Sequence, residues 1–185
     1  MKLFRLTAAA FAIAATASIS YAQMGKNPMV GGKEMFPTKN IIENAVNSAD
    51  HTTLVAAVKA AGLVETLSGP GPFTVFAPTN AAFAKLPAGA VDGLLKPEAK
   101  PMLTKVLTYH VVAGKVSAED LMKKIKDGMG SVELTTVAGG KLTASVKGGK
   151  VVLKDEKGGE STVTQANVFQ SNGVIHVVDT VLMPN

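Results

Sequence analysis

The chain has 185 residues, 46% of them hydrophobic and 18% charged, with a formal net charge of +5. That is ordinary globular chemistry and excludes a disordered or collagen-like chain. It holds no cysteine, so disulfides, zinc–thiolate sites, thiol nucleophiles and lipidated-cysteine anchors are excluded as well.

At the N-terminus, Lys2 and Arg5 precede an uncharged apolar stretch from Leu6 to Ile19, and Ser20-Tyr21-Ala22 places small residues three and one positions before Gln23. This pattern predicts a secretory signal over residues 1–22, cut near Ala22. The stretch falls short of the ~20 apolar residues that a membrane-spanning helix needs. The expected location is periplasmic or secreted. Absence of any Asn-x-Ser/Thr acceptor fits a bacterial chain. Cleavage removes Arg5, the only arginine, and Tyr21, one of two tyrosines; there is no tryptophan. A chain without bidentate phosphate readers and with a single tyrosine for stacking is not expected to bind nucleic acid.

Residues 23–37 have Gly and Pro but no periodicity and are read as an extended arm. A single domain is expected over 38–185. Its first half reads as helical. Thr38 is taken as the cap of a helix over 41–48, and Asp50 as the cap of one over 51–67, with Gly62 interrupting or ending it. Residues 70–78 read as a strand with Phe73 and Val75 on one face and Thr74 and Phe76 on the other. Thr79 is an N-cap for a short helix containing Phe83 and Leu86. Residues 88–95 predict a further turn or two of helix. Residues 96–112 predict a helix with Pro101 near its start and Met102, Val106 and Tyr109 or His110 on neighbouring faces. Ser117 and Asp120 form a shortened capping box.

From about residue 130 the period changes to that of strands, around 132–137, 141–146, 150–153, 161–169 and 174–183. Glycine pairs at 139–140, 148–149 and 158–159 supply the turns of a meander. Helices followed by antiparallel strands predict an α+β fold. In 174–183 both alternating faces are mostly apolar, as in a central strand buried on both sides. Asp179 interrupts it and requires hydrogen-bond donors or a cation. His176 has the opposite parity and is not expected to be that partner. The carboxylate pairs Glu119/Asp120 and Asp155/Glu156 sit beside lysines and read as solvated charge.

Three stretches, FTVFAPTNAAF (73–83), LTYHVV (107–112) and GVIHVVDTVLMP (173–184), resemble in order and spacing the two blocks and central Tyr-His motif of fasciclin I-type domains. The resemblance covers about 38–184. It implies a wedge: a β-sandwich-like pair of antiparallel sheets with helices in the first half and along one edge. It also implies extracellular adhesion or protein interaction without catalysis, through a protein or matrix partner, and no cofactor. Thr79, Asn80, Phe83, His176 and Asp179 fall in the blocks as structural motif residues. Residues around the Tyr-His motif are associated with receptor recognition in animal members, which points here to Tyr109 and His110. The alternative for that pair is packing and hydrogen bonding at a helix end.

Enzyme signatures are missing: there is no nucleophile elbow, no P-loop and no dinucleotide fingerprint. One feature lies outside the resemblance. Met24, Met29 and Met35 fall within twelve residues of the arm, and His51 follows. Thioethers and imidazole suit Cu(I), which makes a periplasmic copper-binding protein the second reading. Against it, methionines also fill irregular apolar grooves and would pin the arm to the core.

Overall fold

The computed structural model describes residues 27–185, so the predicted leader and Met24 lie outside the described residues. Residues 27–37 are not a plain extended arm. They form a hairpin of β1 (Met29–Val30) and β2 (Lys33–Glu34). Gly31 and Gly32 both adopt positive φ, 58° and 73°, which a two-residue turn of this hand requires.

Five helical segments follow in the first half. The first, α1 (Ile41–Ala45), is capped by Asn40 in a full capping box with Glu43, two residues after the expected Thr38. A 3-10 turn over Ala49–His51 leads into α2 (Thr52–Ala61), so Asp50 lies inside a turn and caps nothing with its side chain. Leu54, Ala57, Val58 and Ala61 make the buried stripe of α2, at the spacing a core-facing helix demands. Gly62, at φ 75°, ends it, and α3 (Val64–Ser68) follows. The strand β3 (Phe73–Pro78) then runs into α4 (Asn80–Ala84), whose Ala82 N–H donates to Thr79 Oγ1 at 3.2 Å as predicted.

The second group begins with α5 (Ala90–Leu95) and α6 (Lys100–Tyr109). Helix α6 stops at Tyr109, and Val111 already belongs to β4 (Val111–Ala113), earlier than the sequence suggests. Met102 is 53% exposed and outside the core; Leu103, Val106 and Leu107 carry the buried face instead. Helix α7 (Ala118–Asp127) has the predicted Ser117–Asp120 capping box.

The strands β5 (Ser131–Thr135), β6 (Lys141–Lys147), β7 (Lys150–Lys154), β8 (Glu160–Gln170) and β9 (Gly173–Val178) form the expected antiparallel meander. Together with β3 and β4 they make one seven-stranded sheet in the order β4-β3-β9-β8-β7-β6-β5. The fold is α+β. The sheet is mixed where only antiparallel pairs were expected, because β9 returns parallel to β3 over Phe73↔Gly173 to Pro78↔Val178. The two-layered shape comes from bending. Eleven-residue β8 serves both halves, with register shifts between Val163 and Val168, and bulges of this kind turn a sheet. The edges then meet: Val137 N–H donates to Val111 O at 2.7 Å, beside a bridge between Val112 and Thr136. The wedge is thus a nearly closed barrel.

Strands β3 and β9 separate two apolar cores. Val75, Ala77, Ile175 and Val177 face the helices, among Leu54, Val58, Val106 and Leu107. Phe76 and Val178 face the barrel interior, among Tyr109, Leu121, Leu142 and Leu153. Each valine, leucine, isoleucine or phenylalanine among them contributes about 1.5–3 kcal/mol when fully buried. This is why both faces of the last strand read as apolar. Its strand pairing ends at Val178, sooner than predicted, yet Val181 and Leu182 keep their parity, one in each core.

Candidate functional site

The Tyr-His motif sits where α6 ends against the closing edge of the barrel. Tyr109 is wholly buried. Its hydroxyl donates to Lys141 O at 2.6 Å and accepts from Glu156 N–H at 3.2 Å. The ring packs close against Gly140, where an added Cβ would stand 2.6 Å from Cε2. Burial pushes the Tyr109 hydroxyl pKa up.

His110 points the other way and is also buried. Its Nε2 accepts from Leu182 N–H at 2.9 Å. An acceptor Nε2 places the ring proton on Nδ1, which donates to Val106 O at 2.8 Å. Burial lowers its pKa to about 4, against the Val106 carbonyl and the charge of Asp155. The ring therefore locks the segment after β9 onto the end of α6.

His176 is set by the same logic in the opposite tautomer. Its Nε2 donates to Val116 O at 2.9 Å, and Nδ1 accepts from Asn167 N–H at 3.3 Å. It stacks on Phe76 with ring centroids 5.6 Å apart. Burial lowers its pKa, opposed by the Val116 carbonyl and Glu119. Among the block residues, Asn80 ties α4 to the start of α2, accepting from Thr53 N–H at 3.0 Å and donating to Ala49 O at 2.8 Å. Phe83 packs in the helical core. Asp179 lies just past β9 and is half-exposed; its Oδ1 accepts from Thr162 N–H at 2.9 Å and Thr180 Oγ1 at 3.0 Å, with Lys85 Nζ 3.8 Å from Oδ2. Backbone amide, hydroxyl and cation together satisfy the carboxylate, and His176 takes no part.

The copper constellation does not gather among the described residues. Met35 is 2% exposed in the helical core, whereas Met29 is 57% exposed on the hairpin. His51 is buried, with Nδ1 2.8 Å from Ser48 Oγ. Period-two alternation on a paired hairpin explains the split: it sends Val30 inward and Met29 outward. The Asn44 amide then holds Met35 in place by donating to Phe36 O at 2.8 Å and accepting from Phe36 N–H at 3.0 Å.

Two sets of residues escaped the sequence reading. Asp155 is buried, not solvated: it accepts from Gly159 N–H at 2.6 Å, Lys157 N–H at 3.0 Å and Met183 N–H at 3.0 Å. Glu156 accepts from Lys141 N–H at 3.0 Å and Asn185 N–H at 3.3 Å. The β7–β8 turn thus clasps the segment after β9. Its Asp-x-x-Gly-Gly spacing was the available signal. Asn167, at φ 60°, accepts from Ala118 N–H at 2.8 Å and donates to Glu119; Asn172 accepts from Ile41 N–H and donates to Leu67 O and Gly69 O. These contacts join segments so distant in the chain that no local pattern announces them.

Around the blocks, the rings of Tyr109, His110 and His176 all end on backbone groups. The model of the Fasciclin domain matches residues 49–184. The chain belongs to the fasciclin domain family. Among relatives, it is 53% identical over 144 residues to Protein sll1483 of Synechocystis sp., covering 78% of this chain and 73% of that protein. It is 43% identical over 122 residues to the cell surface glycolipoprotein MPB83 of Mycobacterium bovis, covering 66% of this chain and 48% of that one. The fold matches a FAS1 domain pair from the insect cell adhesion molecule Fasciclin I with a TM-score of 0.71 at 20% identity, over 80% of this chain and 51% of that chain. At that identity the likeness is one of fold.

Proposed function

We propose that this fasciclin domain works outside the cytoplasm as a non-catalytic binding module that attaches to a protein of the cell envelope or matrix. The observation that carries the reading is the inward commitment of the motif. Tyr109, His110 and His176 are all buried and hydrogen-bonded to backbone. They build the wedge and leave attachment to its outer surface. Family membership, the leader pattern at the N-terminus and the cell-surface name of one relative support secretion. No helix among the described residues is long and apolar enough to cross a membrane.

The surface that best fits attachment lies between the end of α7 and β6. Met122, Met129 and Val146 are 38%, 97% and 41% exposed and line one groove with Lys126. Met129 stands at φ 57°, in the left-handed region that favours glycine, with its side chain in solvent. Clustered exposed apolar side chains mark contact surfaces. The test is binding of beads coated with the folded chain to envelope preparations of the producing cell. Saturable capture that Met122→Glu with Met129→Glu abolishes, at unchanged melting temperature, supports both domain and surface. Capture that survives the double change moves attachment elsewhere on the wedge. Absence of capture rejects adhesion.

A further inference from the structure

The end of the barrel formed by the last turn of α7 and the β6–β7 turn breaks two local rules at once. Met129, in the turn between α7 and β5, holds φ at 57°, a conformation that is costly for a long side chain and favours glycine. Glycine stands on either side of it, yet this position carries a methionine that is 97% exposed. At the β6–β7 turn, Lys147 and Lys150 are direct cross-strand partners, and like charges opposite one another destabilise a strand pair. The register Ser131↔Ser145 brings both turns to the same end of the sheet. Neither feature stabilises the domain, and local rules broken without a gain in stability mark functional surface.

The charge at this end is one-sided. Lys123, Lys124, Lys126, Lys147 and Lys150 are all exposed there, against Asp127 and Glu160. Among the described residues, only Lys147 of these lysines makes an ion pair, with Glu160. The remaining acids of α7 and β5 are engaged elsewhere. Glu119 and Asp120, at the opposite end of α7, accept from Asn167 and Ser117, and Glu133 pairs with Lys141. Among the lysines stand the exposed apolar side chains of Met122, Met129 and Val146. Lysine is a point charge that meets a phosphate without a fixed geometry, and methionine is unbranched and adaptable. Both suit a fluid surface. An apolar wedge surrounded by lysines has the chemistry that settles at the boundary between the headgroups and acyl chains of an anionic bilayer.

We propose that this end of the barrel docks on an anionic lipid surface. Met129 enters the headgroup–acyl boundary first, Met122 and Val146 follow at its margin, and the lysines lie on lipid phosphates. Docking is peripheral and reversible, because only the side chains of two turns enter the lipid. Each lysine close to such a surface strengthens binding about fivefold, and salt weakens it by screening. This goes beyond attachment to a protein: the same end takes a lipid partner where no protein is present.

The test is flotation of the chain lacking residues 1–22, which removes the apolar leader, with protein-free vesicles. One set holds phosphatidylcholine and phosphatidylglycerol in equal parts, the other phosphatidylcholine alone. The expected result is flotation with the anionic vesicles that weakens as salt rises and does not occur with the neutral ones. Lys126→Gln and Lys150→Gln should each lower the partition coefficient about fivefold. Met129→Gly should lower it about tenfold; it removes the side chain while relaxing the left-handed backbone, so a lost fold does not confound it. Lys59→Gln with Lys96→Gln, on the helical layer, should change it by less than about twofold, because charges beyond a Debye length are screened. No flotation with anionic vesicles at low salt, equal flotation with neutral ones, or flotation undiminished by Met129→Gly would each overturn the proposal. So would an equal loss from the Lys59 and Lys96 pair, which would mean attraction by net charge alone. The vesicles hold no protein, so these outcomes leave protein attachment standing. A chain that envelope preparations capture and anionic vesicles do not would overturn the lipid partner and assign this end to a protein alone.

Discussion

Acidification should unfold this domain through its buried histidines before it reaches the carboxylates. His110 is held neutral, with Nδ1 donating to Val106 O and Nε2 accepting from Leu182 N–H, and burial lowers its pKa from 6.5 to about 4. The unfolded chain takes up a proton at this residue near pH 6.5, while the native chain does so only near pH 4. Between those values the unfolded state binds more protons, so stability falls as pH falls. Above about pH 6.5 the contribution is fully present. Each pH unit in the interval is worth about 1.4 kcal/mol, so His110 alone removes about 3 kcal/mol by pH 4, a large part of a typical stability of about 5–15 kcal/mol. His51 and His176 are also lowered by burial and steepen the same slope. Urea midpoints at half-unit steps from pH 7.5 to 4, with NMR titration of the three histidine Cε1–H signals, measure both sides of the linkage. A midpoint unchanged from pH 7 to pH 5, or a His110 signal titrating near 6.5, would refute the reasoning.

Other outcomes follow from single contacts. Tyr109→Phe leaves Lys141 O and Glu156 N–H without their buried partner and should cost about 1–3 kcal/mol in thermal or urea melts. Gly140→Ala presses a Cβ to 2.6 Å from Tyr109 Cε2 and should destabilise by about 1–3 kcal/mol; Tyr109→Leu made on top of it should recover part of that loss. Asn44→Ala removes both bonds to Phe36 and should free the N-terminal hairpin, read as faster proteolysis before Ile41 while the barrel stays protected. Met29→Leu with Met35→Leu should cost less than about 1.5 kcal/mol, and a Cu(I) competition titration should give one curve for wild type and double variant. A site lost on that change would mean that Met35 leaves the core to bind metal.

Local chemistry made much of the framework legible. Thr79 and the Ser117–Asp120 pair cap helices where their side chains predict it, because a cap needs only the next three residues. The glycine turns work the same way: Gly139, Gly148, Gly149 and Gly158 all take positive φ between the expected strands. The two apolar faces of the last strand correctly implied burial on both sides, and the opposite parity of His176 and Asp179 correctly kept them apart. Thr38 and Asp50 failed as caps because Asn40 and the 3-10 turn at Ala49–His51 compete within a few residues, and boundaries depend on that competition.

Cap signals, period and turn chemistry are therefore properties of the sequence by itself, since each acts over a few neighbouring residues. The tertiary structure alone decided the parallel pairing of β3 with β9, the closure of β4 on β5, and the inward turn of Tyr109 and His110. It also sent Met35 into the core and Met29 into solvent. Those outcomes depend on which distant segments share a layer, and the partners of a buried polar atom exist only once the layers have met.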